Sequence, residues 1–317
     1  MSLKKRTLLS LCLFALLFVG LLVTATFTDL QVSNILTRGV LPAGEYYADD
    51  VFGVGLECAG TAPELLISAL AAELLWLWLY RFYKPGALRT LLLCLGGAAV
   101  TGLYAWEYHD LSEYILRHVA PGSDIPGFLW LVIGLAAAFT AVLGTLAVNN
   151  FSDENIKKLA RFALVTLGGI VCALLLVQAI KNPVGRMRYR AMNVINDQSG
   201  FTRWYVLNGQ PDKEWMRSVF GTSDAYKSFP SGHTRAAAAT FYLIPLADVA
   251  GVKSRVKRGL IWCFCILFTG AVALSRIMVG AHFFSDVLVG GTIGFAVCMA
   301  AREIFICRFA HLKALKQ

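Results

Sequence analysis

Ser275, Arg276, His282 and Asp286 fall within twelve residues, SRIMVGAHFFSD, and are side-chain types that can handle a proton or an anion. If Asp286 stands one helical turn beyond His282, the two share a face. The carboxylate then accepts the proton on one ring nitrogen, which fixes the tautomer and leaves a lone pair on the other. A histidine so oriented is a general base or a nucleophile. Arg276 adds a planar fork of donors that fits phosphate. The same side chains can also simply cap two helices.

Two upstream stretches bear on that choice. In KNPVGRMRYR, Lys181 is followed seven positions on by Arg188, with Arg186 and Arg190 around it. The cluster reads as an anion site, where Lys gives a point charge and Arg a fork, or as a membrane anchor. In SFPSGHT, Pro230 ends a loop, Ser231 suits a helix N-cap and an apolar run follows. Gly232 allows close approach to the N–H groups at that helix start, and His233 stands where it can act as an acid; an ordinary cap with an incidental His is the other reading. Together the three stretches supply cations, a helix start and two imidazoles. A phosphoryl group carries about two negative charges, which Lys181, Arg188 and Arg276 can balance. In such chemistry the protein mainly positions groups and stabilises spread charge.

The elements that must hold these residues are membrane spans. The 317 residues are 57% hydrophobic and 15% charged, against about 25% charged for soluble domains. Apolar runs of roughly the 20 residues a bilayer requires cover about Thr7–Phe27, Ala62–Phe82, Leu88–Trp106, Ile125–Val148, Leu159–Ile180, Thr234–Ala250, Gly259–Leu274 and Phe283–Ile306. The fold class expected is all-α: a polytopic transmembrane helical bundle of about eight spans. The first run, behind Lys4, Lys5 and Arg6, exceeds the 7–15 residues of a signal-peptide core, so it reads as a retained span, although Val23-Thr24-Ala25 is a passable cleavage site.

The net charge of +9 points to topology and not to nucleic acid, because most basic residues sit in short loops beside the spans. Those at 4–6, 81–89, 157–161, 253–258 and 308–316 fall on one side, which the positive-inside rule makes cytoplasmic; both termini are then inside. The opposite loops, about Thr28–Thr61 and Glu107–Asp124, are richer in acids. The same alternation puts the Lys181–Ser231 loop and the Ser275–His282 turn outside together. That long loop carries Tyr189, Phe201, Trp204, Tyr205, Trp215, Phe220 and Tyr226, which line an entrance for an amphiphile or anchor the loop at the interface. Glu64 and Glu73 lie within the second span; Glu73 reads as a protonated or hydrogen-bonded packing residue, although an intramembrane carboxylate is also a functional candidate. Gly290 and Gly294 read as a close-packing face. The eight cysteines lack metal-ligand spacing and are mostly within apolar segments.

Lys181-x6-Arg188, Pro230-Ser231-Gly232-His233 and Ser275-Arg276-x5-His282-x3-Asp286 resemble the three signatures of the type-2 phosphatidic acid phosphatase superfamily. Tyr189 stands where the family usually has Pro. The family's six-helix core has three spans before the first signature, whereas five are counted here, so about two N-terminal spans are extra. The resemblance implies N-terminal spans over 1–124 and a phosphatase core over 125–317, with signatures at 181–188, 230–233 and 275–286. It implies catalytic His282, His233 and Asp286: His282 attacks phosphorus to give a phosphohistidine, Asp286 orients its ring, and His233 protonates the leaving oxygen and then activates water. Lys181, Arg188, Ser231, Gly232 and Arg276 hold the phosphoryl oxygens; no metal and no cofactor is implied. The expected activity is hydrolysis of a lipid phosphate or diphosphate at the extracytoplasmic face of the cell membrane. A phosphotransferase using a lipid or sugar acceptor is the alternative, and a transporter or scaffold the more distant one.

Overall fold

In a bilayer the backbone must satisfy its own hydrogen bonds, so long apolar runs become long helices. The computed structural model describes residues 3–119 and 125–307. In chain order these form α1 (Leu3–Leu36), α2 (Val51–Phe82), α3 (Ala87–Val119), α4 (Gly127–Asn149), α5 (Asp153–Val184) and two short helices, α6 (Tyr189–Ile195) and α7 (Lys213–Phe220). Then come α8 (Gly232–Ala237), a 3-10 turn (Ala238–Tyr242), α9 (Leu243–Val249), α10 (Arg255–Met278) and α11 (Phe284–Ala301), the last continued by a π-helical stretch at Arg302–Cys307. No described residue is in a strand. Seven of the described helices, α1–α5, α10 and α11, are long and apolar enough to cross a membrane. Arg308, Lys313, Lys316, Asp124 and the chain ends, whose sidedness the charge pattern predicts, lie outside the described residues.

The expected eighth span, Thr234–Ala250, is not one long helix but α8, the 3-10 turn and α9 in succession. Pro245 has no N–H for the Phe241 carbonyl and its ring crowds it, so the chain tightens ahead of the proline. The helices also outrun the apolar windows. Most of the expected Thr28–Thr61 loop is helix, and α3 continues through Glu107, Asp110 and Glu113. Hydropathy scores a charge as a loop signal whether or not that charge has a buried partner, and several here do.

Local chemistry sets the ends. Ser152 caps α5 through its bond from the Asn155 N–H, with Asp153 and Glu154 in the first turn, where the helix dipole favours acids. Gly185, at φ 53°, ends it in the left-handed region. α1 and α2 pack against the helices that carry the three signatures, whereas α3 and α4 pack chiefly on α2 and on each other. Gly290 and Gly294 form the expected contact face: a Cβ on Gly290 would collide with the Ser231 backbone, and one on Gly294 would stand 2.8 Å from the Arg235 carbonyl. The C-terminal ends of α1, α3, α5 and α10 and the starts of α2, α8 and α11 meet at one end of the bundle. Over them lies a cap in which Tyr46, Met187, Met192, Met216, Phe220 and Phe283 are buried together.

Candidate active site

His282 sits in the turn between α10 and α11, only 1% exposed. Its Nδ1 lies 2.6 Å from the Ser228 carbonyl oxygen, and the nearest Asp286 oxygen is 3.8 Å away. The ring is therefore held by a main-chain carbonyl, which fixes the proton on Nδ1 and leaves the Nε2 lone pair free. This corrects the expectation that Asp286 takes that proton directly. His282 precedes α11, so the helical spacing that would have stacked the two side chains does not apply.

Asp286 instead organises the turn. Its carboxylate accepts from Arg186 Nη1 at 2.6 Å, the Ser228 hydroxyl at 2.5 Å and the Phe283 N–H at 2.8 Å. Ser228 thus joins the two stretches, its hydroxyl donating to Asp286 and its carbonyl receiving the His282 proton. Its role went unassigned in the sequence, although it opens the SFPSGHT stretch. Burial pushes the His282 imidazole down to about 3; Asp286 opposes this, and the cations Arg188 and Lys181 add to it. His282 is accordingly neutral at pH 7, the form a nucleophile needs.

Ser231 caps α8 as expected, its Oγ accepting from the Thr234 N–H at 3.3 Å, while its own N–H donates to the Asp286 carbonyl oxygen at 2.9 Å. Lys181, in the last turn of α5, brings its ammonium over Gly232, 3.7 Å from where a Cβ would stand. The three arginines of the KNPVGRMRYR stretch part company. Arg188 is buried with an Nε that has no hydrogen-bond partner, a donor available to an anion. Arg190 lies over the Tyr46 ring at 4.4 Å. Arg186, fully buried, is a structural clamp between Asp286 and Asp29 of α1.

His233 is half-buried, with its Nε2 3.1 Å from the hydroxyl of Tyr114 on α3. Its imidazole is pushed well below the usual range by burial and by Arg276, against the pull of Glu57, with His282 and Arg188 contributing.

Arg276 has no exposure, and its fork is turned towards α2: Nη2 donates to the Gly53 carbonyl, and Nη1 lies 3.0 Å from a Glu57 oxygen. The expected anion-binding arginine therefore carries an internal carboxylate here. A tetrahedral anion binding at Arg276 competes with that carboxylate. Glu57→Gln should tighten inhibition by vanadate about tenfold, roughly the 1.4 kcal/mol scale of a partly screened charge pair. Inhibition constants of the two purified proteins measure this, and weaker inhibition in the variant would show that Glu57 serves to aim Arg276 instead.

The partners missed in the sequence, Asp29 and Glu57, come from α1 and α2, and Glu64, noted there only as an acid within a span, is paired as well. Asp29 accepts from Arg186 and from both the N–H and the hydroxyl of Ser285; Glu57 meets Arg276; Glu64 takes both terminal nitrogens of Arg235. Their only signal was an acid close to an apolar run. Glu73 lies apart, buried beside Tyr104 and the Gly144 backbone between α2, α3 and α4.

The structure thus gathers two imidazoles with a buried lysine and arginine at one end of a bundle of long apolar helices. Residues 161–308 match the PAP2 superfamily. Two PA-phosphatase related-family proteins of Dictyostelium discoideum are similar to the chain. One is 32% identical over 215 residues, covering 62% of this chain and 58% of the relative; the other is 31% identical over 92 residues, 27% and 25% of the two chains. The matched segments thus span less than two thirds of either relative. No solved structure gives a significant match. Helices α1–α4 lie outside the matched segment.

Proposed function

We propose that the protein is a metal-independent membrane phosphatase that hydrolyses a lipid phosphate or diphosphate through a phosphohistidine at the extracytoplasmic face. The observation that carries this reading is His282 itself: buried, neutral, tied through Nδ1 to Ser228, and next to Lys181 and Arg188. In the first step Nε2 bonds to phosphorus as the ester P–O bond breaks. Protonated His233 gives its proton to the leaving oxygen. A bound anion supplies the charge that raises the proton affinity of His233 for this task. In the second step His233 takes a proton from water, the water oxygen bonds to phosphorus, and the P–N bond breaks to return the pair to Nε2. Arg276 joins by exchanging Glu57 for a phosphoryl oxygen. Metal independence is supported by the site's chemistry: its cations would repel a divalent ion, and its carboxylates Asp286 and Glu57 are each held by an arginine.

Two observations support a lipid substrate. Seven helices apolar enough to cross a membrane support a site reached from the bilayer, and exposed Tyr205 and Trp215 lie in the 181–231 connection. The lysine and arginine clusters at the other ends of the spans support the extracytoplasmic placement. The test is phosphate release by the purified protein from phosphatidate, phosphatidylglycerophosphate, polyprenyl diphosphate and a soluble sugar phosphate, with and without EDTA. Release from a lipid that survives EDTA is expected. Labelled phosphate recovered on an acceptor would make the protein a phosphotransferase, and EDTA-sensitive release would overturn metal independence.

A further inference from the structure

We infer that Tyr114 is a positioning residue for His233, supplied by a helix outside the matched domain. The inference rests on the phosphatase reading. Tyr114 lies near the C-terminal end of α3, a helix that otherwise packs on α2 and α4, and this end reaches across to the start of α8. There its hydroxyl is 3.1 Å from Nε2 of His233, and the two rings meet edge-on with centroids 6.3 Å apart. His233 has to be an acid in one step and a base in the next. The phenol oxygen can accept from Nε2–H in both the imidazolium and the neutral ring, which leaves Nδ1 as the nitrogen that gives its proton to the leaving oxygen and takes one from water. A phenylalanine of the same shape has no acceptor for Nε2–H.

The groups facing His233 come from several elements: Arg276 on α10, Glu57 on α2, His282 in the turn, Arg188 before α6 and Tyr114 on α3. Among them Tyr114 is the one in direct hydrogen bond with the ring at Nε2. Bonds to an ionised partner are roughly twice as strong as neutral ones, so the phenol favours the imidazolium over the imidazole. Removing the hydroxyl lowers the proton affinity of His233. The alkaline limb of the rate profile, where protonated His233 is lost, then moves to lower pH.

The experiment is the pH dependence of kcat and kcat/KM for wild-type protein and Tyr114→Phe in the same detergent, on the best lipid phosphate of the panel. The expected result is an alkaline limb displaced downward by about half to one pH unit, the size of one hydrogen-bond difference, with kcat reduced about tenfold and KM nearly unchanged. A fluorinated tyrosine at position 114, a poorer acceptor with its ring intact, should displace the limb in the same direction. Superimposable profiles for the wild type and both substitutions overturn the inference while leaving the phosphatase reading intact. Absence of phosphate release from wild-type protein on every substrate removes the phosphatase reading, and this role with it. Equal melting temperatures for the three proteins establish that the shift is not loss of fold.

Discussion

His282→Ala is expected to lose phosphate release by at least about a thousandfold, because no other group can take the place of a covalent nucleophile. His233→Ala should behave differently. It retains Nε2 of His282 as the attacking atom and loses only the proton given to the leaving oxygen. On an aryl phosphate, whose leaving group needs no proton, the first step should survive and the second should stall. Labelled phosphate should then accumulate on the His233→Ala protein and be absent from His282→Ala. Incorporation into the His282 variant would place the nucleophile elsewhere, and equal loss in both variants with no labelled protein would argue for direct attack by water. Both variants should melt near the wild-type temperature: Arg186 keeps its bonds to Asp286 and Asp29 in each, and the His282 side chain makes one hydrogen bond, to a main-chain carbonyl.

The chemistry-bearing residues were legible because they are short-range patterns of unusual types against an apolar background. Lys181, Ser231 and His282 each sit at a helix end or turn that Gly185, Pro230 or Gly280 punctuates, and such punctuation is local. The partners were not legible, because they are long-range. Asp29 stands 157 positions from Arg186, and Glu57 bonds to an arginine on a helix that comes much later in the chain. In the sequence both acids read as outer-loop residues, because each lies beyond the end of an apolar run. The division of labour among Arg186, Arg188 and Arg190 was equally hidden. Three arginines at alternate positions read as one basic cluster, yet Arg186 clamps carboxylates, while Arg188 and Arg190 each keep a buried Nε without a partner and Arg190 alone lies on tyrosine rings. The turn before α11 explains the remaining difference: an i, i+4 spacing implies a shared face only where both residues are helical, and His282 is not.

The clamp carries the other large effect. Arg186 donates Nε to the Thr202 carbonyl at 2.8 Å, Nη1 to Ser285 at 2.8 Å and Asp286 at 2.6 Å, and Nη2 to Asp29 at 2.9 Å, with its plane 4.1 Å from the Phe283 ring. Arg186→Met fills much of the same space but leaves Asp29 and Asp286, 2% and 0% exposed, without their shared cation. Breaking a buried pair from one side costs about 3–5 kcal/mol, since the stranded charge must be neutralised or hydrated. The expected outcome is a large drop in melting temperature together with loss of phosphate release, because Asp286 also anchors the Ser228 that holds His282. Arg186→Lys keeps the charge without the fork and should fall between the two. Asp29→Asn in the Arg186→Met background removes one stranded charge, so the double variant should be more stable than the sum of the single losses predicts. Strict additivity would mean that Asp29 and Arg186 act independently. Positive coupling would mean that a helix outside the matched domain helps to hold the catalytic turn in place.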